Sequence, residues 1–153
     1  MADQITVQSV VAMAIDLEKT GRAFYQALAS ACDDREISTL WLRLASEEAK
    51  HCASFARIAA GLPKPVARPS EEENERLHQI VKNAVLPKPA IVSHVALHGK
   101  LEEVLAMAIR MEQDSVSFYE GIARVIAPAH KAAVEQIIRE EKQHLRDLRG
   151  LAV

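Results

Sequence analysis

Residues 10–29 read VVAMAIDLEKTGRAFYQALA, and residues 104–123 read VLAMAIRMEQDSVSFYEGIA. Nine of the twenty aligned positions are identical, among them Glu18 against Glu112 and Phe24-Tyr25 against Phe118-Tyr119. A second echo follows each copy, SEEAKH at 46–51 and REEKQH at 139–144. An internal repeat makes a chain two versions of one structural unit. Apolar residues recur in both versions every three or four positions, the period of one buried helix face. Val7, Val11, Ala14, Leu28 and Cys32 mark that face in the first stretch, and Leu40, Leu44, Phe55 and Ile58 in the second. Leu105, Ala108 and Ile122 mark the third, and Val134, Ile137, Leu145 and Leu148 the fourth.

The pattern predicts four long helices, over 6–31, 37–60, 101–126 and 129–148. They pair as two helical hairpins, 6–60 and 100–149. Gly61 followed by Pro63 stops the second helix, and Pro128 stands where a first-turn proline belongs. Residues 62–99 hold five of the six prolines. Within them Ser70 and Glu73 have the spacing of a capping box, which predicts one short helix over 70–85. Thirty-eight residues are far more than a helix–helix hairpin needs. They can carry the chain along the bundle, so that the third long helix starts in the direction of the second. The expectation is an all-α, four-helix bundle of two repeated antiparallel hairpins joined by a long crossover, a single domain over 1–153.

The composition agrees. At 153 residues, 49% hydrophobic and 26% charged, the chain can bury a core without disulfides. A net charge of −2 gives no overall pull on nucleic acid or anionic membrane. The N-terminal apolar run is cut by Asp16 and Glu18, so neither a signal peptide nor a membrane span is expected. Cys32 and Cys52 form no Cys-x-x-Cys motif and read as free thiols, which points to the cytoplasm.

The chemistry lies where the apolar stripes are interrupted. Glu48-x-x-His51 and Glu141-x-x-His144 each place a carboxylate and an imidazole on one helix face. Glu18 and Glu112 take stripe positions 30 and 29 residues earlier, where Leu or Ala would be expected. One Glu-x-x-His carries little weight, and a third, Glu75-x-x-His78 in the crossover, has no matching upstream glutamate. The combination is specific: a Glu from each of two helices and a Glu-x-x-His from each of the others is the ligand set of di-iron and di-manganese carboxylate bundles. Four carboxylates buried together without a cation would cost several kcal/mol per ion. Glu47 and Glu140 fall on the flank of their helices and read as solvated surface. Tyr25 and Tyr119, two turns past Glu18 and Glu112, share the ligand face; they bond a ligand carboxylate across the bundle or satisfy their hydroxyls elsewhere. Gly21 and Ser115 either leave room for an oxygen species or allow close helix packing. Trp41 and Phe55 read as core, and His78, His94, His98 and His130 as surface.

On these residues the chain resembles the rubrerythrin family of the ferritin-like superfamily, across both hairpins. The resemblance rests on Glu18 with Phe24-Tyr25, Glu48-x-x-His51, Glu112 with Phe118-Tyr119, and Glu141-x-x-His144. It implies a ferritin-like bundle holding two Fe ions, with Mn as the alternative, and often a homodimer; the long 62–99 segment would also let hairpins exchange between chains. It implies a di-iron oxidoreductase that reduces hydrogen peroxide or dioxygen, or a ferroxidase that handles iron for storage or transfer. Glu48 and Glu141 would bridge the metals, His51 and His144 would each hold one, and Glu18 and Glu112 would complete the set. Two features depart from rubrerythrins proper. The paired Cys-x-x-Cys of a rubredoxin domain is not found, which implies an external electron donor, and Ser115 stands where a second glutamate follows Glu112.

Overall fold

Helix starts follow the capping residues in the sequence. The computed structural model describes residues 4–65 and 68–152, which form six helices and no strand. These are α1 (Val7–Ala31), α2 (Arg35–Gly61), α3 (Glu71–Asn83), α4 (Pro89–His98), α5 (Leu101–Val125) and α6 (Pro128–Leu151). The Thr6 hydroxyl accepts from the Ser9 N–H at the head of α1. The Asp34 carboxylate accepts from the Glu36 and Ile37 N–H groups, which starts α2 two residues before the predicted position. Ser70 accepts from the Glu73 N–H and opens α3. Pro89 and Pro128 occupy first-turn positions of α4 and α6.

The four long helices form the bundle, with α1 packed along α2 and α5 along α6. The apolar core lies in two clusters. One contains Val10, Leu17, Phe55, Ile58, Phe118, Ile122 and Ile137, and the other Phe24, Leu28, Trp41, Leu44, Ala108, Met111 and Leu148. Along α1 and α6 the chain passes from the first cluster to the second; along α2 and α5 it passes the other way. Each hairpin is therefore antiparallel, and α2 and α5 run in the same direction. On every long helix a glutamate marks the change of cluster: Glu18, Glu48, Glu112 and Glu141, all buried.

The crossover differs from the sequence expectation. It contains two helices where one was predicted over 70–85, since α3 ends at Asn83 and α4 follows. The signal for α4 was Pro89, a helix-starting residue that also reads as a loop marker. The crossover spans the bundle lengthwise. Leu77 of α3 enters the first cluster, Val92 and Ala96 of α4 enter the second, and both helices pack against α1 and α5. Cys32, read as a stripe residue, is the half-buried residue that closes α1. No helix among the described residues is long and apolar enough to cross a membrane.

Leu77 is the fully buried residue of α3, with Ile80 and Val81 partly buried against the same cluster. Leu77→Ala should lower stability by about 2–5 kcal/mol, whereas the exposed Glu75→Ala should stay within about 0.5 kcal/mol of the parent. Urea denaturation of both variants checks this. Equal midpoints would mean that α3 does not contribute to the core.

Candidate metal centre

The six predicted residues converge in the layer between the two apolar clusters. Three and four residues along a helix share a face, so α2 brings Glu48 and His51 to this layer and α6 brings Glu141 and His144. Two sets of four form, Glu18-Glu48-His51-Glu141 and Glu48-Glu112-Glu141-His144, each with its potential ligand atoms within 4.8 Å of one another. Glu48 and Glu141 belong to both sets, as expected of bridging groups. The Glu141 carboxylate divides between them: Oε1 lies 3.2 Å from His51 Nδ1, and Oε2 lies 2.9 Å from His144 Nδ1. Glu18 Oε2 stands 3.6 Å from His51 Nδ1, and Glu112 Oε2 stands 3.5 Å from His144 Nδ1. The two imidazole rings lie 5.6 Å apart.

Whether these residues fit metal ions is tested by their hydrogen bonding. Buried polar atoms in folded proteins almost always have partners. Here Glu18 Oε2, Glu48 Oε1, His51 Nδ1, Glu112 Oε2, both Glu141 oxygens and His144 Nδ1 are buried without any. All seven belong to the two sets and face inward. An oxygen-rich set with one imidazole per site suits Fe or Mn better than Zn. Four carboxylates balance the charge of two divalent ions.

The surrounding side chains hold this arrangement. The Tyr25 hydroxyl of α1 donates to Glu112 Oε1 at 2.5 Å, and the Tyr119 hydroxyl of α5 donates to Glu18 Oε1 at 2.5 Å. That settles the open reading of the tyrosines in favour of bonds across the bundle. Burial and the nearby carboxylate charges push both tyrosine pKa values well up, so the hydroxyls remain donors. Gly21 leaves no free space beside the site. A Cβ there would come within 2.5 Å of Glu48 Oε2, so the missing side chain is the seat of that carboxylate. Ser115, its counterpart in the repeat, donates to the Met111 carbonyl at 2.9 Å.

Glu47 and Glu140 lie on the solvent-accessible flank, as the sequence reading placed them, but each also makes a contact that the reading did not foresee. His144 Nε2 lies 2.7 Å from Glu47 Oε2, and His51 Nε2 lies 2.8 Å from Glu140 Oε2. Each glutamate serves the histidine of the other hairpin, a relation that the periodicity of a single helix cannot reveal. The available signal was the repeat itself, since both copies carry a Glu-Glu pair before the histidine. Glu75 and His78 are exposed and far from the layer, with His78 Nδ1 on the Asn74 carbonyl.

The inward-facing set has the donor pattern described for carboxylate bundles of the two-metal class. The Rubrerythrin family model matches residues 9–152, and the chain belongs to that family. A solved structure from Thermotoga maritima, described as a ferritin-like diiron-carboxylate protein, is similar in fold. It has a TM-score of 0.77 and 25% identity over 99% of this chain and 97% of that one. Among curated proteins no sequence matches.

The electrostatics of the layer give a pH dependence. Burial, then the charge of the neighbouring carboxylates, raises Glu48 and Glu141 well above the usual carboxylate range. Burial opposes a charge on the histidines, but the carboxylates beside them, Glu18 foremost at His51 and Glu112 foremost at His144, outweigh it and raise both. Burial would also raise Glu112, but the adjacent Glu141 and His144, together with the Tyr25 hydroxyl bond, hold it low. Groups with raised folded values stabilise the fold fully below their unfolded values, about 4.3 for Glu and 6.5 for His. That stabilisation is lost as pH rises through the folded values. The chelator-treated chain should therefore melt at lower temperature at pH 8 than at pH 6. Added manganous ion, which replaces the protons, should raise the melting temperature more at pH 8. Calorimetry at both pH values checks this, and a gain that is larger at pH 6 would contradict it.

Proposed function

We propose that the chain binds two iron ions through Glu18, Glu48, His51, Glu112, Glu141 and His144. With electrons from an external donor, it then reduces hydrogen peroxide or dioxygen. One observation carries this reading: the seven unpartnered buried atoms divide into two sets of ligands that share Glu48 and Glu141. The family membership and the diiron description of the Thermotoga maritima neighbour support iron as the metal. Bound iron would supply the ferrous–ferric couple for electron transfer to the oxidant. The chain's own residues keep the site fixed and dry. Tyr25 and Tyr119 fix Glu112 and Glu18 from the opposite hairpin, and the apolar clusters exclude water on both sides of the layer. Reduction of one peroxide to two waters takes up two electrons and two protons, so continuous turnover needs a reductant.

The experiment loads the chain with ferrous ion without oxygen, counts bound iron, and then supplies peroxide with a reductant. Two irons per chain and peroxide consumption far beyond the bound iron are expected. Glu18→Ala and Glu112→Ala should each reduce the iron content, and Glu75→Ala should leave it unchanged. Peroxide consumed once, followed by accumulation of ferric mineral under dioxygen, would favour the ferroxidase reading. Parental iron content in Glu18→Ala and Glu112→Ala would refute the ligand assignment.

A further inference from the structure

Each histidine of the metal centre sits between two groups of acceptors. His51 and His144 are buried to within 2% of complete exclusion. Their Nδ1 atoms face the inner carboxylates without a hydrogen-bond partner, and their Nε2 atoms face Glu140 and Glu47. A neutral imidazole has one N–H and one lone pair, and a carboxylate can only accept. The inner carboxylates would readily accept a hydrogen from Nδ1, which would leave no lone pair there for a metal. An outer carboxylate on Nε2 draws the hydrogen to the other side of the ring and leaves the Nδ1 lone pair pointing inward.

From this geometry we propose that Glu47 and Glu140 are positioning residues for metal binding. Each fixes the tautomer and ring orientation of the histidine contributed by the opposite hairpin. Glu47 acts on His144, and hence on the site with Glu112; Glu140 acts on His51, and hence on the site with Glu18. The outer carboxylates are themselves held. Glu47 Oε2 lies 3.7 Å from an Arg43 guanidinium nitrogen, and Arg43 also donates to Asp147 at 2.9 Å. Glu140 Oε1 accepts from the Gln136 amide at 3.1 Å. The crossover packs on α1 and α5, which leaves Glu47 and Glu140 on the opposite, α2–α6 side of the bundle. There they line a 280 Å³ surface depression with His51 at its floor. Their side chains are 32% and 46% exposed, so shortening either one opens no core cavity.

The inference rests on the two-metal reading, and its test separates the two. The whole chain and its Glu47→Ala, Glu140→Ala, Glu47→Gln and Glu140→Gln variants are titrated with ferrous ion under anaerobic conditions. Proton spectra of the loaded proteins are then recorded in water and in heavy water. The parent should show two strongly shifted, solvent-exchangeable resonances, the Nε2–H protons of the two metal-bound histidines. Glu47→Ala should lose or move one of them and Glu140→Ala the other. Each should weaken binding of one metal ion by about 10–100-fold, the usual cost of removing such an outer partner. The glutamine variants keep an acceptor oxygen and should recover both resonances and most of the affinity. A parent that binds no iron would overturn the proposed function and this inference together. A parent that binds two irons while both alanine variants keep parental affinity and both resonances would overturn this inference alone.

Discussion

Four carboxylates and two imidazoles share one buried layer, and the rest of the molecule is arranged around that fact. Removing an ion from water costs several kcal/mol unless it is well paired. The layer is tolerable only because protons or cations balance it and because every ligand is held at one height. The two apolar clusters above and below set that height. Leu17 and Phe24 flank Glu18 on α1, and Ala108 and Phe118 flank Glu112 on α5, with each pair divided between the two clusters. Helices of 24 to 27 residues are long enough for a cluster at each end and a polar layer between them.

The repeat gives the layer an approximate two-fold character. Tyr25 reaches Glu112 while Tyr119 reaches Glu18, and Glu47 reaches His144 while Glu140 reaches His51. Each hairpin thus supplies half of the inner set and the supports of the other half. Neither hairpin alone presents a finished site, so metal binding by this set would be coupled to closure of the bundle. The halves are not identical. Gly21 makes room for Glu48, whereas the equivalent Ser115 spends its hydroxyl on its own helix. Tyr25 stacks on Trp41, whereas Tyr119 tilts against Phe55. The carboxylate over His144 has an arginine beside it, and the one over His51 is held by a neutral amide.

Much of this was legible in the sequence, for a definite reason. Helical periodicity fixes which residues share a face, so Glu48 with His51, and Glu141 with His144, could be read together before any coordinates. The repeat then linked Glu18 to Glu112 and predicted two matched hairpins. What stayed hidden depends on the register between helices. The partner of Tyr25 lies 87 residues away and that of Glu140 lies 89 away, and no local pattern encodes either. Glu47 and Glu140 looked like flank residues because their own helices do place them there; the histidine they serve approaches from the neighbouring helix. The helix over 89–98 escaped for another reason. It is apolar on nearly all sides and stands among prolines, so it showed no amphipathic stripe.

On the proposed reading, one buried layer holds two metal ions shared by Glu48 and Glu141. Crystals of iron-loaded protein, measured on both sides of the iron absorption edge, test it most directly. Two anomalous peaks per chain are expected between α2 and α6, each within bonding distance of Glu48 and Glu141. One peak should be bound by His51 and Glu18, the other by His144 and Glu112. A single peak, or peaks bound by residues outside this set, would contradict it.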